Sequence, residues 1–176
     1  MITEIRGRKL KLLLSSSEIS KRVSELGGEI TADYENKDPL LICVLKGGFI
    51  FLADLVRNLD FNVQIDFIRI SSYREGMEPG DIELVTDATM PVEGRHVLLV
   101  EDLLDTGITM NFIKETLLAR NPASLKICAL INKKERREVE VKADYLGFSI
   151  ENGFIIGYGT DWGETGRNLR DIYLVE

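Results

Sequence analysis

The chain has 176 residues, 44% hydrophobic residues and a formal net charge of −7. This length is typical of one domain, and the composition excludes a mainly disordered chain. The negative charge excludes a globally basic nucleic-acid-binding surface. Cys43 and Cys128 each lie in an apolar run, which predicts buried free thiols and a cytoplasmic protein. No apolar run reaches the ~18 residues of a membrane span.

The first predicted helix starts near residue 17, with Ser17 as its N-cap. Its apolar residues recur at helical spacing, namely Ile19, Val23, Leu26, Ile30 and Tyr34. The pattern continues across Gly27 and Gly28, although each glycine costs about 1 kcal/mol relative to alanine. We therefore predict one helix that is weakened in its middle.

The central part of the chain alternates short apolar runs with helical patterns. Strands are predicted at residues 40–45, 63–70, 82–85, 97–100 and 125–131, and helices at 49–59 and 109–120. This alternation predicts an α/β fold with a mainly parallel, twisted sheet flanked by helices.

The last third contains short strands with turns, predicted at residues 145–150, 154–158 and 172–175. No repeat or linker divides the chain, so we predict a single domain over 1–176. Its core is predicted at about 36–140, with a small cap (hood) formed by about 1–16 and 145–176.

The segment VLLVEDLLDTGIT, residues 97–109, combines a strand, a short loop and the start of a helix. Ligands of open parallel sheets bind beyond the carboxyl ends of the strands. Gly107 allows backbone N–H groups to approach a ligand closely, Thr106 and Thr109 add hydroxyl groups, and the helix N-terminus favours an anion. The pattern predicts a site for a single phosphate, and it lacks the lysine of a Walker loop.

Three carboxylates, those of Glu101, Asp102 and Asp105, lie in the same segment. Alone they would repel a phosphate, by about 1 kcal/mol for unit charges at ~4 Å in water. Sugar hydroxyl groups or a divalent cation such as Mg²⁺ would relieve this repulsion. The residues thus predict a site for a phosphorylated sugar with a metal; the alternative is an acidic helix N-terminus with a capping role only.

Four segments together resemble one protein family. VLLVEDLLDTGIT is similar to the phosphoribosyl-pyrophosphate signature of the type I phosphoribosyltransferases. The rest of the chain from about residue 17 resembles their hypoxanthine-guanine branch, through LICVLKGGFIFLADL (41–55), DFIRISSY (66–73) and FIIGYGTDWGETGRNL (154–169). The resemblance implies a purine-salvage enzyme that transfers phosphoribosyl to N9 of hypoxanthine or guanine, giving IMP or GMP and pyrophosphate.

The resemblance also implies a site for phosphoribosyl pyrophosphate. The 5′-phosphate would bind to Asp105, Thr106, Gly107, Ile108 and Thr109. The ribose hydroxyls would face Glu101 and Asp102. The pyrophosphate would bind to Lys46, Gly47 and Arg167. The family has a non-proline cis peptide before the lysine. Asp105 is the implied catalytic residue, as general base or acid at N7 of the purine; alternatively it only orients the loop.

On the purine side, the resemblance implies contacts from Lys133, Phe154, Ile155 and Asp161. An ammonium group only donates hydrogen bonds, so Lys133 fits a 6-oxo group and disfavours the 6-amino group of adenine. The adjacent Lys134 is the alternative contact. Trp162 is predicted either to wall the purine pocket or to pack in the cap.

The family further implies Mg²⁺ near Glu101, Asp102 and Asp161, and a loop headed by Ser72 and Tyr73 that closes over the sugar. Here that loop reads REGMEPGDIEL, which departs from the small hydroxyl residues of many relatives. The implied partners are small-molecule substrates, with no nucleic acid or membrane, in a homodimer or homotetramer. Two alternatives stay open: a xanthine-preferring enzyme, and a non-catalytic nucleotide-sensing regulator of the same fold.

Overall fold

A computed structural model describes residues 4–72 and 82–176. Within these residues the elements are, in chain order, β1 (Glu4–Ile5), β2 (Arg8–Leu14), α1 (Ser16–Tyr34), β3 (Leu40–Leu45), α2 (Phe49–Val56), β4 (Gln64–Ser72), β5 (Ile82–Thr86), β6 (His96–Leu104), α3 (Ile108–Leu118), β7 (Ser124–Lys133), β8 (Tyr145–Ile150), β9 (Ile155–Ile156) and β10 (Ile172–Val175).

The larger sheet has six strands in the order β5-β4-β3-β6-β7-β8. All neighbouring pairs are parallel except β4 and β5. Alternate residues of β3 face opposite sides: Leu41 and Cys43 pack in one apolar cluster with α1 and α2, and Leu40 and Ile42 pack in another with α3. Helices therefore cover both faces of the sheet, and the predicted α/β fold is confirmed.

The N-cap of helix α1 lies two residues before the predicted position. The N-cap is Ser15, not Ser17. The Ser15 hydroxyl accepts a hydrogen bond from the backbone N–H of Glu18, and the Glu18 carboxylate accepts one from the backbone N–H of Ser15, which together form a capping box. The helix continues without interruption through Gly27, whose missing side chain makes room for Asn58 after α2. Gly27 therefore allows close packing of α1 against the segment after α2, although it lowers helix propensity.

Strand β6 is longer than predicted. It continues past Val100 because Glu101 pairs with Ala129 and Leu103 pairs with Ile131 of β7. The acidic pair therefore lies within the strand, and the loop starts only at Asp105. Helix α2, by contrast, ends before the predicted 59.

The smaller sheet has four strands in the order β1-β2-β10-β9. The predicted cap at 145–176 is wrong in one part, because β8 pairs in parallel with β7 and so belongs to the larger sheet. The chain joins the smaller sheet only at β9, which pairs with β10. β9 is shorter than the strand predicted at 154–158.

Both cysteines are free and buried, as predicted. None of the helices in the described residues is long and apolar enough to span a membrane.

Candidate active site

A cavity of about 350 Å³ lies at the carboxyl ends of β3, β6 and β7. We call it the main cavity. It is lined by Lys46, Gly47, Asp102, Leu103, Asp105, Lys133, Arg136, Phe154, Ile155, Thr160, Asp161 and Arg167. The structure therefore brings together most of the side chains that the sequence singled out, from segments far apart in the chain.

A second cavity of about 80 Å³ adjoins the main one at Leu103 and Asp105. Its remaining lining residues are Glu101, Leu104, Thr106, Gly107, Thr109 and Met110. Gly107 is the N-cap of α3, and its φ of 86° is a left-handed conformation that favours glycine. The backbone N–H groups at the start of α3 thus border a small cavity, which is the arrangement expected of an anion site.

The carboxylate of Asp105 faces two cations. Its Oδ2 lies 3.2 Å from Nζ of Lys133 and 3.6 Å from the Arg136 guanidinium. Its buried Oδ1 has no hydrogen-bond partner among the residues that the structure describes. Asp105 therefore combines an ion pair on one oxygen with a free acceptor on the other.

Lys133 is only 5% exposed and lines the main cavity. Its Nζ also lies 3.4 Å from the carbonyl oxygen of Gly153. The neighbouring Lys134 is exposed and does not line this cavity. Of the two lysines, the geometry favours Lys133 as the residue that meets a ligand.

The adjacent carboxylates of Glu101 and Asp102 are both buried, but they line different cavities. Asp102 lines the main cavity, where a Cβ on Gly47 would collide with its carboxylate. Glu101 lines the second cavity. Burial raises the pKa of Glu101, and the neighbouring Asp102 raises it further. Glu101 therefore takes up a proton at a higher pH than an exposed glutamate does.

Two further cations, Lys46 and Arg167, line the main cavity. The Leu45–Lys46 peptide is cis, and the Lys46 ammonium lies 3.0 Å from the carboxylate of Glu164. Arg167 pairs with Asp161 at 2.8 Å and contacts Glu164 at 3.4 Å. The hydrogen bond from Lys46 lowers the pKa of Glu164. The Lys46–Glu164 pair is exposed, and such pairs contribute only about 0–1 kcal/mol, so an incoming anion can replace the carboxylate.

An exposed aromatic ring, that of Phe154, also lines the main cavity. Phe154 is 48% exposed, and its ring and that of Trp162 are in a T-shaped contact with a centroid distance of 5.8 Å. Trp162 lies behind it, beside a separate cavity of about 260 Å³ that Phe154 also lines. Ile155 is buried and also lines the main cavity. One face of Phe154 is thus accessible for stacking on a flat ligand.

The three predicted metal ligands do not converge. Asp102 and Asp161 line the main cavity, whereas Glu101 lines the second one. Among the described residues, no group of three or more His, Cys, Asp or Glu side chains is placed to bind a metal ion. Two carboxylates of one cavity fit Mg²⁺, which usually combines one or two protein carboxylates with substrate phosphate and water.

The predicted closing loop lies largely outside the described residues. Ser72 is the last residue of β4, and Tyr73 falls in the part of the chain that is not described.

Three charged residues near the site were not predicted, namely Arg136, Arg137 and Glu164. The first two lie in a polar run after β7, and the third lies in a glycine-rich turn. Such positions are typical of solvated surface, so only the tertiary contacts reveal them.

Comparison with known proteins gives a consistent result. The model of the phosphoribosyl transferase domain matches residues 11–162. A hypoxanthine-guanine phosphoribosyltransferase of Aquifex aeolicus is 51% identical over 175 residues, covering 98% of each chain. The enzyme of that name from Bacillus subtilis is 40% identical, covering 90% of this chain and 89% of its own. The crystal structure of a hypoxanthine phosphoribosyltransferase from Staphylococcus aureus, 36% identical, superposes with a TM-score of 0.90, covering 94% of this chain and 91% of that chain.

Proposed function

Since this chain belongs to the hypoxanthine-guanine phosphoribosyltransferase family, we propose that it is a purine-salvage enzyme. It transfers phosphoribosyl from phosphoribosyl pyrophosphate to N9 of hypoxanthine or guanine and releases pyrophosphate. The observation that supports the proposal is the main cavity, which is lined by Lys133 and Phe154 as well as by Lys46 and Arg167. One cavity thus offers an ammonium group and an aromatic ring to a flat base and two cations to a pyrophosphate, and Asp105 lines it too.

The second cavity supports a place for the 5′-phosphate. Thr106, Gly107, Ile108 and Thr109 surround the start of α3 and offer backbone N–H and hydroxyl donors. A phosphate there would be stabilised by the helix N-terminus, and Glu101 would be protonated or hydrogen-bonded to the sugar. The ribose would then span from this loop towards Asp102.

In the proposed reaction the bond between C1′ and the pyrophosphate oxygen breaks, and the electron pair leaves with the pyrophosphate. The bond between C1′ and N9 forms, and the proton at N7 of the purine passes to the Asp105 carboxylate. Lys133 donates to the 6-oxygen of the base. Lys46 and Arg167 stabilise the charge that develops on the leaving group.

Magnesium is part of this proposal. Asp102 and Asp161 would hold it, directly or through water, with the remaining ligands from the substrate. When bound, it would neutralise charge on the pyrophosphate. Because few protein carboxylates are available, we expect the metal to bind mainly together with phosphoribosyl pyrophosphate.

We also propose a homodimer or homotetramer in the cytoplasm. The exposed apolar side chains of Ile65 and Phe67 on β4, and of Phe49 on α2, support an association surface. The buried free thiols support a reducing compartment. Light scattering of the full chain tests the assembly; a monomer at working concentration contradicts it.

The activity is tested by measuring pyrophosphate release with each of hypoxanthine, guanine, xanthine and adenine. We expect turnover with hypoxanthine and guanine that requires both phosphoribosyl pyrophosphate and Mg²⁺. The Asp105→Asn variant, purified identically, controls for contaminating enzyme. No turnover with either base overturns the proposal and favours the regulator, and a higher kcat/KM for xanthine favours the xanthine-preferring enzyme.

A further inference from the structure

Arg137 lies behind the loop that carries Asp105 and does not line the main or the second cavity. Its Nε donates to the carbonyl oxygen of Asp105 at 2.9 Å, and its Nη2 lies 3.3 Å from the carbonyl oxygen of Leu104. These two carbonyls mark the point where the chain leaves β6. The guanidinium therefore holds the backbone of the loop at its origin.

The same guanidinium also contacts the end of the neighbouring strand. Nη2 donates to the side-chain oxygen of Asn132 at 2.5 Å and lies 3.4 Å from the carbonyl oxygen of Lys133. Nη1 donates to the carbonyl oxygen of Val141 at 3.0 Å. One side chain thus joins the last residues of β6, the last residues of β7 and the segment that follows β7.

The backbone that follows Arg137 also forms hydrogen bonds with the loop that carries Asp105. The N–H groups of Glu138 and Val139 donate to the carbonyl oxygen of Thr106 at 2.9 and 3.0 Å. A Cβ on Gly107 would collide with the carbonyl of Val139 and lie 3.2 Å from Cδ of Arg137. The residues that follow β7 therefore fix the conformation at the start of α3.

We infer that Arg137 is a positioning residue that sets the distance between the Asp105 carboxylate and the Lys133 ammonium. The two side chains extend from the ends of adjacent strands, and Arg137 binds the backbone carbonyls of both residues. A planar guanidinium can reach several fixed acceptors at once, and a lysine ammonium cannot reproduce this fork. The inference rests on the proposed function, because Asp105 and Lys133 are there the groups that meet the purine.

The kinetic test compares the Arg137→Lys and Arg137→Ala variants of the full chain with the wild-type enzyme. Arg120→Lys and Arg120→Ala are the matched controls. Arg120 lies after α3 and pairs with Asp87, in contact with neither cavity. We expect both Arg137 variants to lose kcat by about 10-fold to 100-fold, since displacements near 1 Å have effects of this size. The KM for phosphoribosyl pyrophosphate should change less than kcat, and added guanidinium ion should restore part of the activity of Arg137→Ala only.

Loss of stability alone would give a different result. If kcat of both Arg137 variants matches wild type below their unfolding temperatures, Arg137 only stabilises the fold and the inference is overturned. Equal activation of the Arg120→Ala control by guanidinium would contradict specific rescue.

A second readout does not need turnover. Hydrogen exchange of the amides at residues 106–109 should be faster in Arg137→Ala than in wild type and in Arg120→Ala. Unchanged exchange overturns the inference, whatever the activity. An inactive wild-type enzyme with faster exchange in Arg137→Ala contradicts the proposed function and leaves the loop-holding role of Arg137 supported.

Discussion

Nζ of Lys133 lies 3.2 Å from Oδ2 of Asp105, so the implied base-recognition residue and the implied catalytic residue form an ion pair. Lys133 ends β7 and Asp105 follows β6, its parallel neighbour in the sheet. The Asp105 carboxylate is thus an ion-pair partner for an ammonium group whose side chain is nearly inaccessible. A 6-oxopurine would give the ammonium a second acceptor and bring its N7 near the carboxylate.

Replacing Asp105 by Asn should reduce kcat far more than binding of phosphoribosyl pyrophosphate. The amide keeps the size of the side chain but cannot accept the purine proton, and general-base catalysis contributes about 10²–10⁴-fold. Steady-state kinetics measure kcat, and calorimetry measures binding of phosphoribosyl pyrophosphate. Equal losses in both quantities would make Asp105 a residue that only orients the loop.

Replacing Lys133 by Ala should weaken the selection against adenine. The ratio of kcat/KM for hypoxanthine to that for adenine should fall about tenfold or more, because a buried polar group without a partner costs about 1–3 kcal/mol. Both values will also fall together as Asp105 loses its ion pair, so the ratio is the informative quantity. Lys134→Ala is the matched control, and a larger effect there would transfer the role to Lys134.

Apolar patterns were sufficient to predict the sheet. Strand β3 was predicted with its observed ends because a fully buried strand is a short continuous apolar run. The predicted strand β6 is too short, because the charged residues Glu101 and Asp102 are unusual inside a strand; here both line cavities. The N-cap prediction at Ser17 is wrong, because Ser15 with Glu18 three residues later forms the capping box.

The site was predictable where residues follow a strand and less so elsewhere. Asp105 follows directly on an apolar strand, so its neighbours in the sequence are enough to predict its place in the site. Glu164, by contrast, contacts Lys46 across the whole fold, and Arg137 acts through backbone carbonyls that a sequence pattern does not show. Long-range pairs of this kind depend on the tertiary arrangement of turns.

The two glycines within α1 should respond to alanine in opposite ways. A Cβ on Gly27 would lie 2.5 Å from the backbone oxygen of Asn58, whereas a Cβ on Gly28 would meet nothing within 4 Å. Gly27→Ala should therefore lower the free energy of unfolding by about 1–3 kcal/mol. Gly28→Ala should raise it by about 0.5–1 kcal/mol through helix propensity. Urea denaturation measures both, and changes of the same sign would contradict the packing of α1 against this segment.

Asp66 should make stability depend on pH. Burial alone would raise its pKa, but hydrogen bonds from the backbone N–H groups of Met90, Phe67 and Thr89 outweigh burial and lower it. A carboxyl group whose folded pKa is below its unfolded value of about 3.9 stabilises the fold above that value. This stabilisation is lost as the pH falls through the folded pKa.

The test is the difference in free energy of unfolding between wild type and Asp66→Asn. We expect about 1–3 kcal/mol near pH 7, the range for removing a charged hydrogen-bond acceptor. The difference should shrink below about pH 4. The exposed Asp60, replaced by Asn, controls for loss of charge. A difference that stays constant down to pH 2 would show that ionisation of Asp66 is not its source.

Trp162 should report binding of the purine. It is the only tryptophan of the chain, and its ring and that of Phe154 are in a T-shaped contact with centroids 5.8 Å apart. Because Phe154 lies between the main cavity and the cavity beside Trp162, a base stacked on Phe154 would change the surroundings of the indole. Titration with guanosine 5′-monophosphate should therefore change tryptophan fluorescence.

Phe154→Ala should weaken binding of guanosine 5′-monophosphate about tenfold or more, since stacking of a base on an aromatic side chain contributes about 1–3 kcal/mol. Leu118→Ala removes an exposed apolar side chain near the end of α3 and should leave the titration unchanged. Full affinity in Phe154→Ala would show that the purine does not stack there, and the wall formed by Phe154 and Trp162 would then be part of the small sheet's packing only.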